Sequence, residues 1–245
     1  VAIYDNKKLK GDKKMERKKA SSNTNTTLEY IEKINKPDEE PIGVVIWLHG
    51  LGADYNDFLP LVSELKLEHC IKFIFPNAPL RPITINGGAV MRGWYDIRDA
   101  NNLGDTVDKD GISQSVQAVE NIITKLIASG YKSSHIVVAG FSQGGVIAYQ
   151  VAVQTKHRLG GILVLSAYLP DKVSIIDDSV NKKTSILACH GKHDMVVPYD
   201  AGFAAYNELR SRGFSISWMS YPMEHGICLE QVHDISLWLQ ERFML

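Results

Sequence analysis

The segment Gly140-Phe141-Ser142-Gln143-Gly144 reads GxSxG, with the apolar run Ile136-Val137-Val138-Ala139 before it and a helical apolar pattern after it. In that setting the motif makes a sharp strand-to-helix turn that presents the serine hydroxyl, and glycines on both sides relieve the crowding. A serine hydroxyl is a weak nucleophile until a base removes its proton, and the base needs a carboxylate to orient it. Downstream, SILACHGKHDMVVP puts Asp194 in the loop after one apolar run, and SWMSYPMEHGICLE puts His225 in the loop after another. Serine, acid, histidine is the chain order expected for this type of elbow. All three follow segments that read as strands, so all three fall on one rim of a sheet. Acyl transfer also needs two N–H donors for the oxyanion. The amide of Gln143 follows the serine, and WLHGLGAD offers the amide of Leu51 between Gly50 and Gly52.

Each role has rivals. His190 and His193 lie beside Asp194 and have the chemistry of a base, although His190 sits at a strand end ahead of the acid and reads as a structural hydrogen-bonding group. Asp171, Asp177, Asp178 and Asp200 are alternative acids. The first follows a proline turn, the next two sit in a polar loop, and Asp200 reads as a helix cap. His69, His135, His157 and His233 do not lie at the carboxyl end of a strand. The string CHGKHD has metal-ligating residue types, yet no second ligand pair of suitable spacing accompanies it, so no metal is expected.

These residues need a scaffold, and the apolar pattern supplies one. Strand-like runs occur at TLEYIEKI, GVVIWLHG, IKFIFPNAP, SHIVVAGFS, GILVLSAY, SILACHG and SISWMSYP. Segments 58–67, 111–129, 144–155, 201–212 and 229–243 repeat apolar residues at three and four, the period of a half-buried helix. Runs such as VVIWL and ILVLS are apolar throughout, as strands covered on both faces of a mainly parallel sheet must be. The expected architecture is therefore a three-layer α/β/α sandwich.

Length and composition agree: 245 residues with 44% hydrophobic and 22% charged suit one α/β domain. Residues 27–245 read as that domain and 1–26 as an extension. Residues 1–20 hold eight Lys or Arg and three Asp or Glu, a net +5, which leaves −6 for the rest within the formal −1 of the chain. So polar a segment is expected to be disordered, with weak contact to an anionic membrane surface as the sharper reading. Met15 is an alternative natural start. Neither a repeated apolar face nor interleaved aromatics supports binding to nucleic acid, and none is expected. No apolar run is long enough to span a bilayer, no secretory signal core is visible, and Cys70, Cys189 and Cys228 read as buried thiols, so a cytoplasmic location is expected.

Taken together, WLHGLGAD, FPNAPLRPITINGGAVMRGWYDI, GFSQGG, CHGKHDMVVP and YPMEHGICLE resemble the phospholipase/carboxylesterase family, which includes the acyl-protein thioesterases. The resemblance runs from about residue 27 to the C-terminus. It implies an α/β-hydrolase fold without a large cap domain and cofactor-free hydrolysis of esters or thioesters. It carries a triad onto Ser142, Asp194 and His225, oxyanion donors onto Leu51 and Gln143, and groove walls onto Trp94 and Tyr95. The implied partner is a small ester or acyl thioester, or an acylated protein. The chain departs from the family pattern at Tyr55, where glycine is frequent, and around His225, which Glu224 precedes and Gly226 follows. Those departures bear on groove shape and substrate preference. A lysophospholipase or peptidase uses the same triad, whereas a noncatalytic binding protein on this fold needs no acid and histidine in matching loops.

Overall fold

The computed structural model describes residues 28–99, 107–170 and 178–244. The extension 1–26 and the rival acids Asp171 and Asp177 lie outside them. In chain order the strands are β1 (Tyr30–Ile34), β2 (Gly43–Leu48), β3 (Ile71–Pro76), β4 (Leu80–Ile83), β5 (Ala89–Arg92), β6 (Ile136–Phe141), β7 (Gly161–Leu165), β8 (Ile186–Gly191) and β9 (Ile216–Tyr221). The α-helices are α1 (Leu61–Glu64), α2 (Lys109–Ala128), α3 (Gln143–Gln154), α4 (Tyr199–Ser211) and α5 (Leu229–Phe243).

All seven apolar runs enter one sheet, in the order β1-β3-β2-β6-β7-β8-β9. Within it β1 runs antiparallel to β3 and every other pairing is parallel. The burial patterns explain this arrangement. β2, β6, β7 and β8 are buried at every position, as strands covered on both faces must be, while the edge strand β9 alternates between exposed and half-buried positions along most of its length.

Alternate side chains of the strands point into two separate cores. Val44, Ile46, Val138 and Val164 join α2, α3 and α4 on one face. Val45, Trp47, Val137 and Leu163 join α1 and α5 on the other. This is the three-layer sandwich. α3 is buried over Gln143–Val153, because it packs on the sheet and also against α2.

Two elements differ from the periodicity. Segment 58–67 forms only the single turn α1: Pro60 stands at its N-cap and disfavours helical geometry in the residue before it, and the chain turns extended at Leu65, with ψ 114. Leu61, Val62, Leu65 and Leu67 are nevertheless buried. The segment LRPITINGGAVMR folds as a separate two-stranded hairpin, β4 with β5, whose turn contains Gly87 and Gly88 at φ 65 and 81. Gly-Gly between short strand-like runs is its signal in the sequence. All three cysteines are free, with Cys70 and Cys189 buried and Cys228 partly exposed rather than buried. Among the described residues no helix is long and apolar enough to cross a membrane.

The chain leaves β2 toward β3 on one side and returns to β6 on the other, so β2 and β6 flank the switch point where ligands enter sheets of this kind. Leu48 pairs with Gly140 at that point, which brings the turn after β2 against the turn after β6.

Candidate active site

Ser142 stands between β6 and α3 with φ 53 and ψ −119, a backbone conformation costing on the order of 1–3 kcal/mol in a residue with a side chain. Its N–H donates to the Leu165 carbonyl of β7 at 2.8 Å, and its own carbonyl accepts from Gly145 and Val146 at 2.9 and 3.2 Å. The flanking glycines allow the turn to close. A Cβ on Gly140 would strike the Gly144 carbonyl, and one on Gly144 would strike the carbonyls of Leu48 and His49. Since backbone lies on both sides, the neighbours have nowhere to move. Gly144→Ala is therefore expected to cost about 3 kcal/mol or more. Urea unfolding reads this directly, and a midpoint equal to that of the parent would contradict the packing described.

The acid and the histidine meet because their loops are an extension of the sheet. Past the β8–β9 ladder, Lys192 N–H donates to the Tyr221 carbonyl at 2.8 Å and His193 N–H to the Met223 carbonyl at 3.0 Å. Gly191 fits between because a Cβ there would meet the carbonyls of Met223 and Glu224. The result is a 2.7 Å hydrogen bond from His225 Nδ1 to Asp194 Oδ2 across 31 residues of sequence. Asp194 Oδ1 accepts the N–H groups of Val196 and Val197, both at 2.9 Å. Burial alone would raise the Asp194 pKa. The hydrogen bond and charge of His225, with the two backbone donors, outweigh it and hold the carboxyl below its ordinary value. An ionised Asp194 accepts the hydrogen on His225 Nδ1, so in a ring with one hydrogen Nε2 is the nitrogen that keeps its lone pair. The His225 ring packs on Phe141, the residue before Ser142, with centroids 4.8 Å apart.

The turn after β2 closes the other side. A Cβ on Gly50 would lie 3.6 Å from the Ser142 Cβ, which sets Leu51 next to the elbow. Gly52 N–H donates to the Arg92 carbonyl at 2.8 Å, tying that turn to the hairpin. Gln143 is the first residue of α3, so its N–H has no acceptor within the helix. Its side chain is clamped: Oε1 accepts from Trp94 N–H at 2.8 Å and Nε2 donates to the Tyr95 carbonyl at 2.7 Å.

Trp94 and Tyr95, expected as groove walls, are 0% and 1% exposed, so a substrate cannot lie against them. They are core side chains that support the elbow from behind. Trp94 Nε1 donates to the His49 carbonyl at 2.8 Å, and the Tyr95 hydroxyl meets that of Tyr168 at 3.0 Å.

His49 itself escapes sequence reasoning. Its buried ring accepts Ala78 N–H on Nε2 at 3.0 Å and donates from Nδ1 to the Gly50 carbonyl at 2.7 Å, fixing the turn before Leu51. Burial pushes its pKa down, which suits a neutral ring with one donor and one acceptor. The only available signal is its position between the strand and Gly50. Of the rivals, His193 and Asp178 are exposed, as are His69 and His233. Asp200 lies in the first turn of α4 rather than at its cap, which is Pro198. Among the described residues no group of three or more His, Cys, Asp or Glu could hold a metal ion.

A mainly parallel sheet covered by helices on both faces, with a strained serine at a strand-to-helix elbow, is the α/β-hydrolase architecture. Within that class the chain belongs to the phospholipase/carboxylesterase family, a family of carboxylic ester hydrolases, whose profile matches residues 29–242. It is 35% identical to acyl-protein thioesterase 1 of Yarrowia lipolytica over 208 residues, 80% of this chain and 90% of that protein. Carboxylesterase SOBER1 of Arabidopsis thaliana is 33% identical over 204 residues, covering 81% of this chain and 90% of the relative. The crystal structure of that Arabidopsis protein superposes with a TM-score of 0.77 at 31% identity, covering 82% of this chain and 99% of the other. Acyl-protein thioesterase 2 of Zea mays superposes with a TM-score of 0.74 at 26% identity, covering 87% and 99%.

Proposed function

We propose that this chain hydrolyses carboxylic esters and acyl thioesters through an acyl-enzyme on Ser142. The observation that carries the reading is the strained Ser142 elbow lying beside the Asp194–His225 pair, whose imidazole rests on Phe141. In the first half of the reaction Nε2 of His225 takes the Ser142 proton as Oγ adds to the acyl carbonyl. Asp194 holds the imidazole in position and stabilises its cation. The N–H groups of Leu51 and Gln143 receive the negative charge that develops on the carbonyl oxygen. Collapse breaks the bond to the alcohol or thiol, which leaves with the proton from His225. Water, activated by the same imidazole, then releases the carboxylic acid and restores Ser142.

Nucleophile, base and donors all come from the chain, so the steps require no cofactor. The names of the relatives support both substrate classes, carboxylic esters and acylated proteins. The test is mass analysis of the intact protein after exposure to a fluorophosphonate, with the adduct mapped by peptide. One adduct on Ser142, absent when the protein is heat-denatured before exposure, is expected, together with turnover of p-nitrophenyl esters and S-acyl thioesters. A folded protein that forms no adduct removes the nucleophile from this reading.

A further inference from the structure

His190 rivals His225 for the role of base in the sequence, and its geometry assigns it a different task. The ring lies at the end of β8, is 1% exposed and so cannot touch a substrate. Its Nε2 is 2.9 Å from the Val197 carbonyl and 3.5 Å from Asp194 Oδ2, the same oxygen that receives His225 Nδ1 at 2.7 Å. We propose that His190 is a positioning residue for the candidate site, sharing the Asp194 carboxylate with His225 and tethering the acid loop from beneath. The inference rests on the reading of Asp194 and His225 given above.

Three observations support it. First, Nε2 faces a carbonyl and a carboxylate, so the ring hydrogen belongs there. Nδ1 is buried with no hydrogen-bond partner. A second hydrogen on Nδ1 would be a buried donor without an acceptor, which is costly. Burial accordingly pushes the His190 pKa down, against the raising influence of the Val197 carbonyl and Asp194. The titratable groups facing the ring are Asp194, His225 and, edge-on at 6.1 Å, Tyr199.

Second, the ring cannot swing. Trp218 stacks on it at 5.7 Å and 20°, and a Cβ on Gly202 of α4 would run into Nδ1.

Third, beyond the backbone bonds of Lys192 and His193, the acid loop past Asp194 is anchored at Val197. Met195 and Val196 are 90% and 66% exposed, and of these neighbours only Val197 is buried. The backbone of Val197 is therefore gripped at both of its polar groups: its N–H binds Asp194 Oδ1 and its carbonyl accepts from His190. Loosening that grip lets the carboxylate drift relative to His225, and a displacement of about 1 Å in such a site costs roughly 10²-fold in rate. The N–H near Oδ2 also draws charge from the carboxylate, so its loss should raise the apparent pKa of the base in the pH–rate profile.

Two substitutions separate donor from ring. His190→Phe keeps a flat ring against Trp218 and removes the N–H, whereas His190→Gln loses the ring and retains an amide N–H at similar reach. On a p-nitrophenyl ester, His190→Phe is expected to lower kcat by on the order of 10²-fold with KM little changed and to move the basic pKa upward, while His190→Gln recovers most of the loss. The low-field proton resonance of His225 Nδ1–H, read without substrate, should weaken in His190→Phe and return in His190→Gln. An unchanged resonance in His190→Phe overturns the positioning role whatever the activity. So does a pattern in which Phe is active and Gln is not, because packing alone would then explain the residue. If the wild-type chain cleaves neither esters nor thioesters yet the resonance responds as described, the positioning role stands and the hydrolytic reading fails.

Discussion

Replacement of Ser142 by alanine is expected to lower kcat/KM by about 10⁴ to 10⁶-fold while leaving the protein folded. The size of the loss follows from the mechanism: without Oγ there is no acyl-enzyme, and what remains is water acting in a site that still offers the donors of Leu51 and Gln143. Stability should hold or rise slightly. The backbone at Ser142 is strained at φ 53, and alanine neither adds to that strain nor removes the bond from its N–H to Leu165. Steady-state rates and a urea titration on the same preparation test both halves. A variant that keeps more than about a tenth of the parental rate would remove Ser142 from the chemistry. A variant that unfolds would show that the hydroxyl has a structural partner.

Asp194→Asn is expected to cost on the order of 10³ to 10⁴-fold in kcat, although the side chain barely changes shape. The amide can place a donor where the carboxylate received His225 Nδ1–H at 2.7 Å. The imidazole then carries its proton on the wrong nitrogen and no longer presents a base to Ser142. The same substitution has a pH signature in stability. The folded Asp194 pKa lies below its ordinary value, held there against burial by His225, Val197 and Val196. A depressed carboxyl pKa contributes stability that is complete above the unfolded value of about 3.9 and is lost as pH falls through the lower folded value. The amide variant has no such titration. The gap in urea midpoint between parent and variant should thus be widest near neutrality and shrink toward the acid range in which the folded carboxyl takes up its proton. A gap independent of pH would mean that Asp194 is not stabilised as an anion.

Supporting residues explain why such small changes should act so strongly. The elbow is fastened to β7 through Ser142 N–H, to the hairpin connection through Gln143, and to the β2 turn through His49 and Trp94. Each is a buried hydrogen bond with a defined partner, so the site has few ways to relax. Rigid placement of donors ahead of the reaction is what an oxyanion site requires.

Most of the scaffold is written in local pattern. Seven apolar runs form the seven strands of the main sheet, and four of the five helical segments form α2, α3, α4 and α5, because a continuous apolar run and a 3.6-residue period both depend only on neighbouring residues. The GxSxG turn is readable for the same reason: its glycines answer to backbone a few residues away and to the strand beside it. Tertiary structure alone decided the rest. Which histidine reaches Asp194 from which side depends on the β8–β9 register and on the continuation of that ladder to Met223, neither of which has a local signature. Trp94 and Tyr95 look the same in sequence whether they line a groove or fill a core, and it is the packing of the folded chain that buries them in the core shared with α2 and α3. His49 shares that limit, and for His190 the sequence offers a structural hydrogen-bonding role without naming its partners. A histidine's task is set by the donors and acceptors that face its two nitrogens, and for both residues the decisive partners, Ala78 for one and Asp194 with Val197 for the other, are brought to the ring by the folded chain.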